Sequence, residues 1–402
     1  MWGLLPESRR RALRHAHECA SCRAALEAEG SELAWPFPRL GLAYDRIIDR
    51  VLCDLAPRIR QASRERAEAP ALLAELVRHA PGQREMLVRN ARRFRSLSLC
   101  LLLLDLSREV SPDDPRGGEG WALLALRLTD FLDSGVYGLE LIEDVRARSW
   151  ALLANARRIA SDHFGAERAF RRAEEHLRRG TRDHLERAQV LVLKATLYRV
   201  QCRFGEAERL LRRALSIWLW AGESRRAVEA MLTWSAIYSE HYEPERAIRL
   251  LREASGLPAA LSDPQLALAI HHNLAMSLIQ AGKFLEAEGL LLHNRDLYGK
   301  VHVPGIELSR KWAEGQLARG CGKMAEAEAR FSELQSTYLK QGRNDGAAHL
   351  NLELALVCLA TGRPAEAEAL ANEALTIFVG LHIEREALAA FLLRYFAASL
   401  KS

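Results

Sequence analysis

Near the start of the chain, His15, Cys19 and Cys22 form the pattern H-x3-C-x2-C. On a helix, His15 and Cys19 lie one turn apart and Cys22 follows three positions on, so all three side chains leave from one face. An imidazole and two thiolates are three of the four ligands that tetrahedral Zn2+ takes. A fourth is harder to place. None of the fourteen residues before His15 is His or Cys, and His17 would point about 200° away from His15 on an ideal helix. Three readings stay open: a zinc site, a degenerate or truncated former zinc segment, and chance. A redox role for the Cys19/Cys22 pair is disfavoured, because the thioredoxin-like motif needs a strand-to-helix setting that this sequence does not offer.

The motif resembles the zinc-binding segment of bacterial zinc-containing anti-sigma factors, over about 30 residues. The resemblance implies Zn2+ as cofactor and a sigma factor as partner. No other chemical constellation stands out. The sequence contains no Gly-rich phosphate loop, no H-E-x-x-H and no G-x-S-x-G. The adjacent His271 and His272 sit amid Leu268 and Leu274, a pattern expected of one packed and one surface residue. Cys and His do not converge with acids elsewhere, so no catalytic activity is expected.

Charge narrows the partner class. Of 57 basic residues, seven are Lys and fifty are Arg, and 52 Asp and Glu are interleaved with them, as at Glu186-Arg187 and Glu208-Arg209. Interleaving predicts mixed-charge helix surfaces rather than a basic stripe, and no nucleic-acid-binding module is recognisable. The seven cysteines are Cys19, Cys22, Cys53, Cys100, Cys202, Cys321 and Cys358. An odd number, mostly scattered through apolar helical patterns, is expected of reduced thiols in a cytoplasmic protein. The most apolar run, residues 97–106, contains Asp105 and is far shorter than the ~20 residues of a spanning helix, so no membrane association is expected.

The elements that must carry any binding surface come from a repeat. Ala207, Ala247, Ala287, Ala327 and Ala367 follow one another at intervals of 40, and Ala166 precedes them by 41. Twelve positions upstream of each lies a second small column: Ala154, Ala195, Ser235, Ala275, Gly315 and Ala355. Seven downstream lies a third: Ala173, Ala214, Ala254, Asn294, Leu334 and Ala374, small in four of six copies. Small residues at these intervals let antiparallel helices approach closely and admit the next pair. Gly282, Gly322 and Gly362 fall 40 apart at the expected turn inside each hairpin, where a left-handed residue would end the first helix. Ser262-Asp263-Pro264 offers an N-cap followed by proline, and Asp183 with Glu186 has capping-box spacing.

These columns resemble the tetratricopeptide (TPR) consensus over about 240 of the 402 residues, with a period longer than the usual 34. The expected fold is all-α: a TPR-like right-handed solenoid of helical hairpins with a 40-residue period. Residues 1–32 form a short helical segment, residues 33–140 irregular hairpins, residues 141–380 six repeats and residues 381–402 a capping helix. Within the irregular part, apolar periodicity runs through residues 42–54, 85–106 and 121–132.

The resemblance implies an interaction scaffold or regulator that holds a protein or peptide on the concave face lined by the first helices. Carried over position by position, it places Arg148, Asn155 and Arg158 on that face, then Gln189, Thr196 and Arg199. Later copies supply Glu229 and Glu240, His272 and Gln280, then Trp312, Gln316 and Arg319, and finally His349, Leu352 and Leu356. Trp312 reads either as a rigid aromatic anchor or as core. The co-chaperone carboxylate clamp is not expected, because Ala151 stands where it needs Lys or Arg.

Overall fold

The computed structural model describes residues 41–301, 305–381 and 383–400, with side chains in the first helix from Ile59 onward. His15, Cys19 and Cys22 lie outside the described residues. The described residues are helical, without strands, and fall into two compact units that divide between Glu223 and Ser224.

The first unit opens with α1 (Gly41–Val77), α2 (Pro81–Asn90), a 3-10 turn (Arg92–Phe94), α3 (Leu97–Val110), α4 (Pro115–Thr129) and the single turn α5 (Ser134–Tyr137). The periodic stretch at residues 85–106 is therefore not one helix. It breaks after Asn90, and α3 begins where the Ser96 hydroxyl accepts the Leu99 N–H at 3.3 Å, an N-cap. Glu65 on α1 ties these irregular elements together: one oxygen accepts from Tyr137 Oη at 2.5 Å and the other from Ser96 Oγ at 3.1 Å. Two regular hairpins follow, α6 (Leu139–Ile159) with α7 (His163–Arg179) and α8 (His184–Val200) with α9 (Phe204–Trp220).

The second unit holds four hairpins. They are α10 (Ser224–Glu240) with α11 (Pro244–Ser255), α13 (Pro264–Gln280) with α14 (Phe284–His293), α16 (Ile306–Gly320) with α17 (Met324–Lys340), and α18 (Asn344–Ala360) with α19 (Pro364–Gly380). Short helices α12 (Pro258–Ser262) and α15 (Arg295–Lys300) follow α11 and α14, and α20 (Glu384–Ser399) closes the chain against α19 and α18.

All three small-residue columns are buried. The six alanines from Ala166 to Ala367 and the alanines of the second column are 0% exposed, as are Ala173, Ala214, Ala254 and Ala374. The exceptions are instructive. At Asn294 the second helix breaks into α14 and α15, and the Asn294 side chain donates to the Leu290 carbonyl at 2.7 Å, capping the end it creates. At Gly315 the missing methyl is filled from across the hairpin. A Cβ there would lie 2.5 Å from Cε1 of Phe331, whose ring is fully buried.

The turn inside every hairpin has one geometry. Ser161, Cys202, Tyr242, Gly282, Gly322 and Gly362 all have positive φ, between 56° and 77°. In each case the next residue donates its N–H to the carbonyl five positions back, as in Arg203 to Tyr198 at 2.8 Å and Lys323 to Ala318 at 2.9 Å. This is the Schellman arrangement, which satisfies the orphan carbonyls at the end of the first helix. Gly222 and Gly342 repeat it at the ends of α9 and α17. Cys202 belongs to this exposed turn rather than to an apolar helical pattern, whereas Cys100 and Cys358 are buried. Asp183 caps α8 through the Leu185 N–H at 2.8 Å, but the capping box is not completed, because Glu186 turns instead to Arg148.

Two consequences can be measured by denaturant or thermal unfolding. A helical Gly→Ala change ordinarily stabilises, but Gly315→Ala should destabilise by roughly 1–3 kcal/mol, because the methyl must displace the Phe331 ring. Cys202→Gly should stabilise by about 0.5–1 kcal/mol by relieving a left-handed non-glycine residue, and Gly322→Ala should destabilise by about 1 kcal/mol. Equal responses at residues 202 and 322 would show that the turn does not carry this cost.

Candidate functional site

The expected partner-facing residues lie on the first helices, and much of their polarity is spent inside the protein. In the first unit, Arg148 on α6 reaches Glu186 on α8 with two guanidinium nitrogens, one of them Nε at 3.0 Å. Burial opposes the charge on Arg148, but the Glu186 contacts outweigh it and raise the pKa. Arg157 makes a similar link from α6 back to Glu119 on α4 at 2.9 Å. The Arg148–Glu186 pair joins two successive first helices, and the one-point Arg157–Glu119 contact ties α6 to the irregular part before it. A two-point guanidinium–carboxylate contact suits that task because it constrains direction as well as distance.

At the next residue the pattern changes. Arg158 donates from Nε and Nη2 to the same acceptor, the amide oxygen of Asn155, at 3.2 and 3.0 Å. Both residues are half-buried. The other charge felt strongly by Arg158 is Arg199 on α8, also half-buried and also positive. Burial, and then the Arg199 charge, push the Arg158 guanidinium down to about 10. Two guanidinium groups from adjacent first helices thus share one patch, and Arg158 has a neutral amide as its hydrogen-bond acceptor. Thr196, on the same face of α8, is turned back to the Leu193 carbonyl at 2.6 Å. Gln189 is half-buried.

In the second unit, Gln280, Gln316 and Arg319 come together. They line a cleft of about 550 Å³ with Ser239, Tyr242, Met276, Ile279 and Phe284. Its polar groups are partly used to join helices: Gln280 Nε2 donates to the Ser239 carbonyl at 2.9 Å, and Gln316 Nε2 to Glu353 at 2.5 Å. Arg319 Nε stands 3.2 Å from Glu353 Oε2 without hydrogen-bond alignment, leaving both atoms buried and unsatisfied. Tyr242 stands 79% exposed at the mouth, on the left-handed turn.

The remaining expected residues are placed apart from this cleft. His272 is half-buried, with Nδ1 3.0 Å from Tyr298 Oη, and burial lowers its pKa. Its neighbour His271 is also half-buried rather than on the surface, and its Nδ1 is buried without a partner. Trp312 packs against the core around Phe331 and Leu350 and meets His349 edge-on at 6.3 Å, and His349 in turn meets Phe378 at 4.9 Å. Trp312 is therefore an aromatic that supports the core while part of it stays exposed. Leu352 packs against the neighbouring Phe378 cluster, and Leu356 is 38% exposed. Glu229 pairs with Arg225 at 3.2 Å on its own helix. Among the described residues no group of three or more His, Cys, Asp or Glu is arranged to hold a metal ion, and no helix is long and apolar enough to cross a membrane.

Neither a family model nor a curated protein matches the sequence. Solved structures do match the fold. The apo form of the quorum sensor NprR from B. thuringiensis aligns over 88% of this chain and 100% of its own, with a TM-score of 0.51 at 12% identity. Aspartyl phosphate phosphatase F from Bacillus subtilis aligns over 79% of this chain and 91% of its own, with a TM-score of 0.48 at 14% identity. A Rap protein complexed with competence and sporulation factor covers 75% of this chain and 99% of its own, with a TM-score of 0.47 at 14% identity. The alignment with NprR, with the hairpins and their buried columns, establishes an all-α helical-repeat fold of the TPR-like kind.

Proposed function

We propose that this chain is a regulator or sensor that captures a peptide or protein segment on the first-helix faces of its hairpins, without catalysing a reaction. The observation that carries this reading is the Arg158–Arg199 patch. Keeping a half-buried guanidinium beside a second cation, with a neutral amide as its acceptor, works against stability unless an anion arrives. A carboxylate arriving beside Arg158 would give that guanidinium the charged acceptor it lacks, while Asn155 is placed to orient it. A peptide's terminal or side-chain carboxylate is the expected group. The cleft lined by Tyr242, Gln280, Gln316 and Arg319 offers a second point of contact, with amides for a peptide backbone and an exposed aromatic for an apolar side chain. The quorum sensor NprR shares the fold, and that analogy is compatible with a sensing role.

A narrower reading rests on sequence alone: residues 15–22 holding Zn2+ against a sigma factor, with the repeats as sensor, in the cytoplasm. Metal content tests it directly. About one zinc per chain in protein purified without chelator, lost in Cys19→Ser/Cys22→Ser, is the expected result if the segment works as a metal site.

The principal reading is tested in two steps. Arg158→Gln should raise unfolding stability by roughly 1 kcal/mol, since it removes an uncompensated charge. Peptides selected from a library with free carboxyl termini should lose about tenfold in affinity with Arg158→Gln or Arg199→Gln, measured by fluorescence anisotropy. Selected peptides that bind both variants as tightly as the original chain would refute the assignment.

A further inference from the structure

A second basic site lies away from the first-helix face, in the first unit. The end of α7, the linker after it, the first turns of α8 and the middle of α9 enclose a cleft of about 860 Å³. Its rim carries Arg178, Arg182, Arg187 and Arg213, all exposed. Its floor is apolar, made by Leu177, Val190, Leu191 and Leu210.

Two acids, Glu174 and Asp183, also line the cleft, and each has a partner other than the rim arginines. Glu174 takes Lys194 at 2.5 Å. Asp183 accepts the Leu185 N–H as the cap of α8. Glu186, next to Arg187 in sequence, is held by Arg148 on a different helix. Arg178 donates to a backbone carbonyl, that of Glu174, at 3.3 Å. Among the described residues none of the four rim arginines forms an ion pair, whereas Arg146, Arg148, Arg157, Arg172 and Arg203 in the same unit all do. Four arginines thus face two lining acids, one of which already pairs with Lys194, so the cleft keeps an excess of positive charge.

We infer that this cleft is a docking site for an acidic peptide segment of a partner protein, one that sets carboxylates on the arginine rim and an apolar side chain on the leucine and valine floor. Charge complementarity selects the acid, because guanidinium forks pair with carboxylates in two-point geometry. The apolar floor selects an amphipathic segment over a bare anion. Nucleic acid is the weaker match, since no Phe, Tyr or Trp lines the cleft to stack a base and the charge is local rather than a continuous stripe.

The test uses the full chain and a short fluorescein-labelled peptide of alternating Glu and Leu. Competing probes are its Gln/Leu counterpart, a labelled single-stranded oligonucleotide, and vesicles of anionic phospholipid. The Glu/Leu peptide should bind with Kd near or below about 100 µM at low salt, and the Gln/Leu peptide about tenfold or more weaker. Arg182→Glu/Arg213→Glu should abolish that binding while leaving the thermal unfolding midpoint unchanged, because neither side chain is engaged in an ion pair. These measurements are made in an Arg158→Gln background, where the first-helix patch no longer contributes, so that the binding read is that of this cleft alone. Equal binding of both peptides, binding that survives the charge reversal, or tighter binding of the oligonucleotide or vesicles would each overturn the assignment.

Discussion

The close approach of two antiparallel helices at a buried alanine is the contact on which the fold depends. Every hairpin buries a small residue of the second column, and burial is complete at the alanines of both columns. Such contact is possible only if the two helices are held in one register, and the left-handed turn supplies it. The turn ends the first helix at a fixed residue, satisfies its last carbonyls, and starts the second helix a fixed distance on. The same distances then recur from copy to copy, which is why a period near 40 survives sequence divergence. Where one partner in the contact changes, the other follows: Gly315 is paired with the ring of Phe331 rather than with a smaller side chain.

Once the helices are this close, charge placement settles what the surface can do. The chain has many arginines, and the fold spends a good share of the described ones on carboxylates one hairpin away or one turn along. Arg203 shows both at once, reaching Glu206 on its own helix and Glu167 on the preceding second helix at 3.1 Å. Arg363 repeats the arrangement with Glu366 and Glu328. Exposed pairs of this kind contribute little stability individually. Their more useful effect is to tie neighbouring helices together in a fixed direction.

The alanine and glycine columns were legible in sequence because small size and φ > 0 leave a residue-type signature. The same turn at Ser161, Cys202 and Tyr242 was not, since three side chains there adopt a conformation that residue type does not announce; only their register with Gly282, Gly322 and Gly362 marks them. The first-helix face was equally accessible by position. Arg148, Arg158 and Arg199 could be placed on it, but not told apart. What separates them is the partner, and partners lie far off in sequence: Arg148 finds Glu186 across a hairpin, while Arg158 finds Asn155 and a second arginine. The basic cleft was hidden for a related reason. Asp183, Glu186 and Glu174 alternate with its arginines along the chain and give the look of balance, and only the structure shows those acids turned to other tasks.

Stability and binding therefore make opposite demands on the same residue type, and the structure separates them by location. An arginine that fixes helix register needs a carboxylate already in place, and Arg148 and Arg157 have one. An arginine that is to recognise an external carboxylate must not. If Arg158 were also paired internally, its desolvation would be offset and an incoming acid would have to displace a partner before gaining anything. Held instead by a neutral amide, the guanidinium keeps its orientation and its unspent charge, so most of the ordering is done before the ligand arrives. In the proposed site Asn155 therefore counts as much as the cations: it fixes the Arg158 fork without neutralising it.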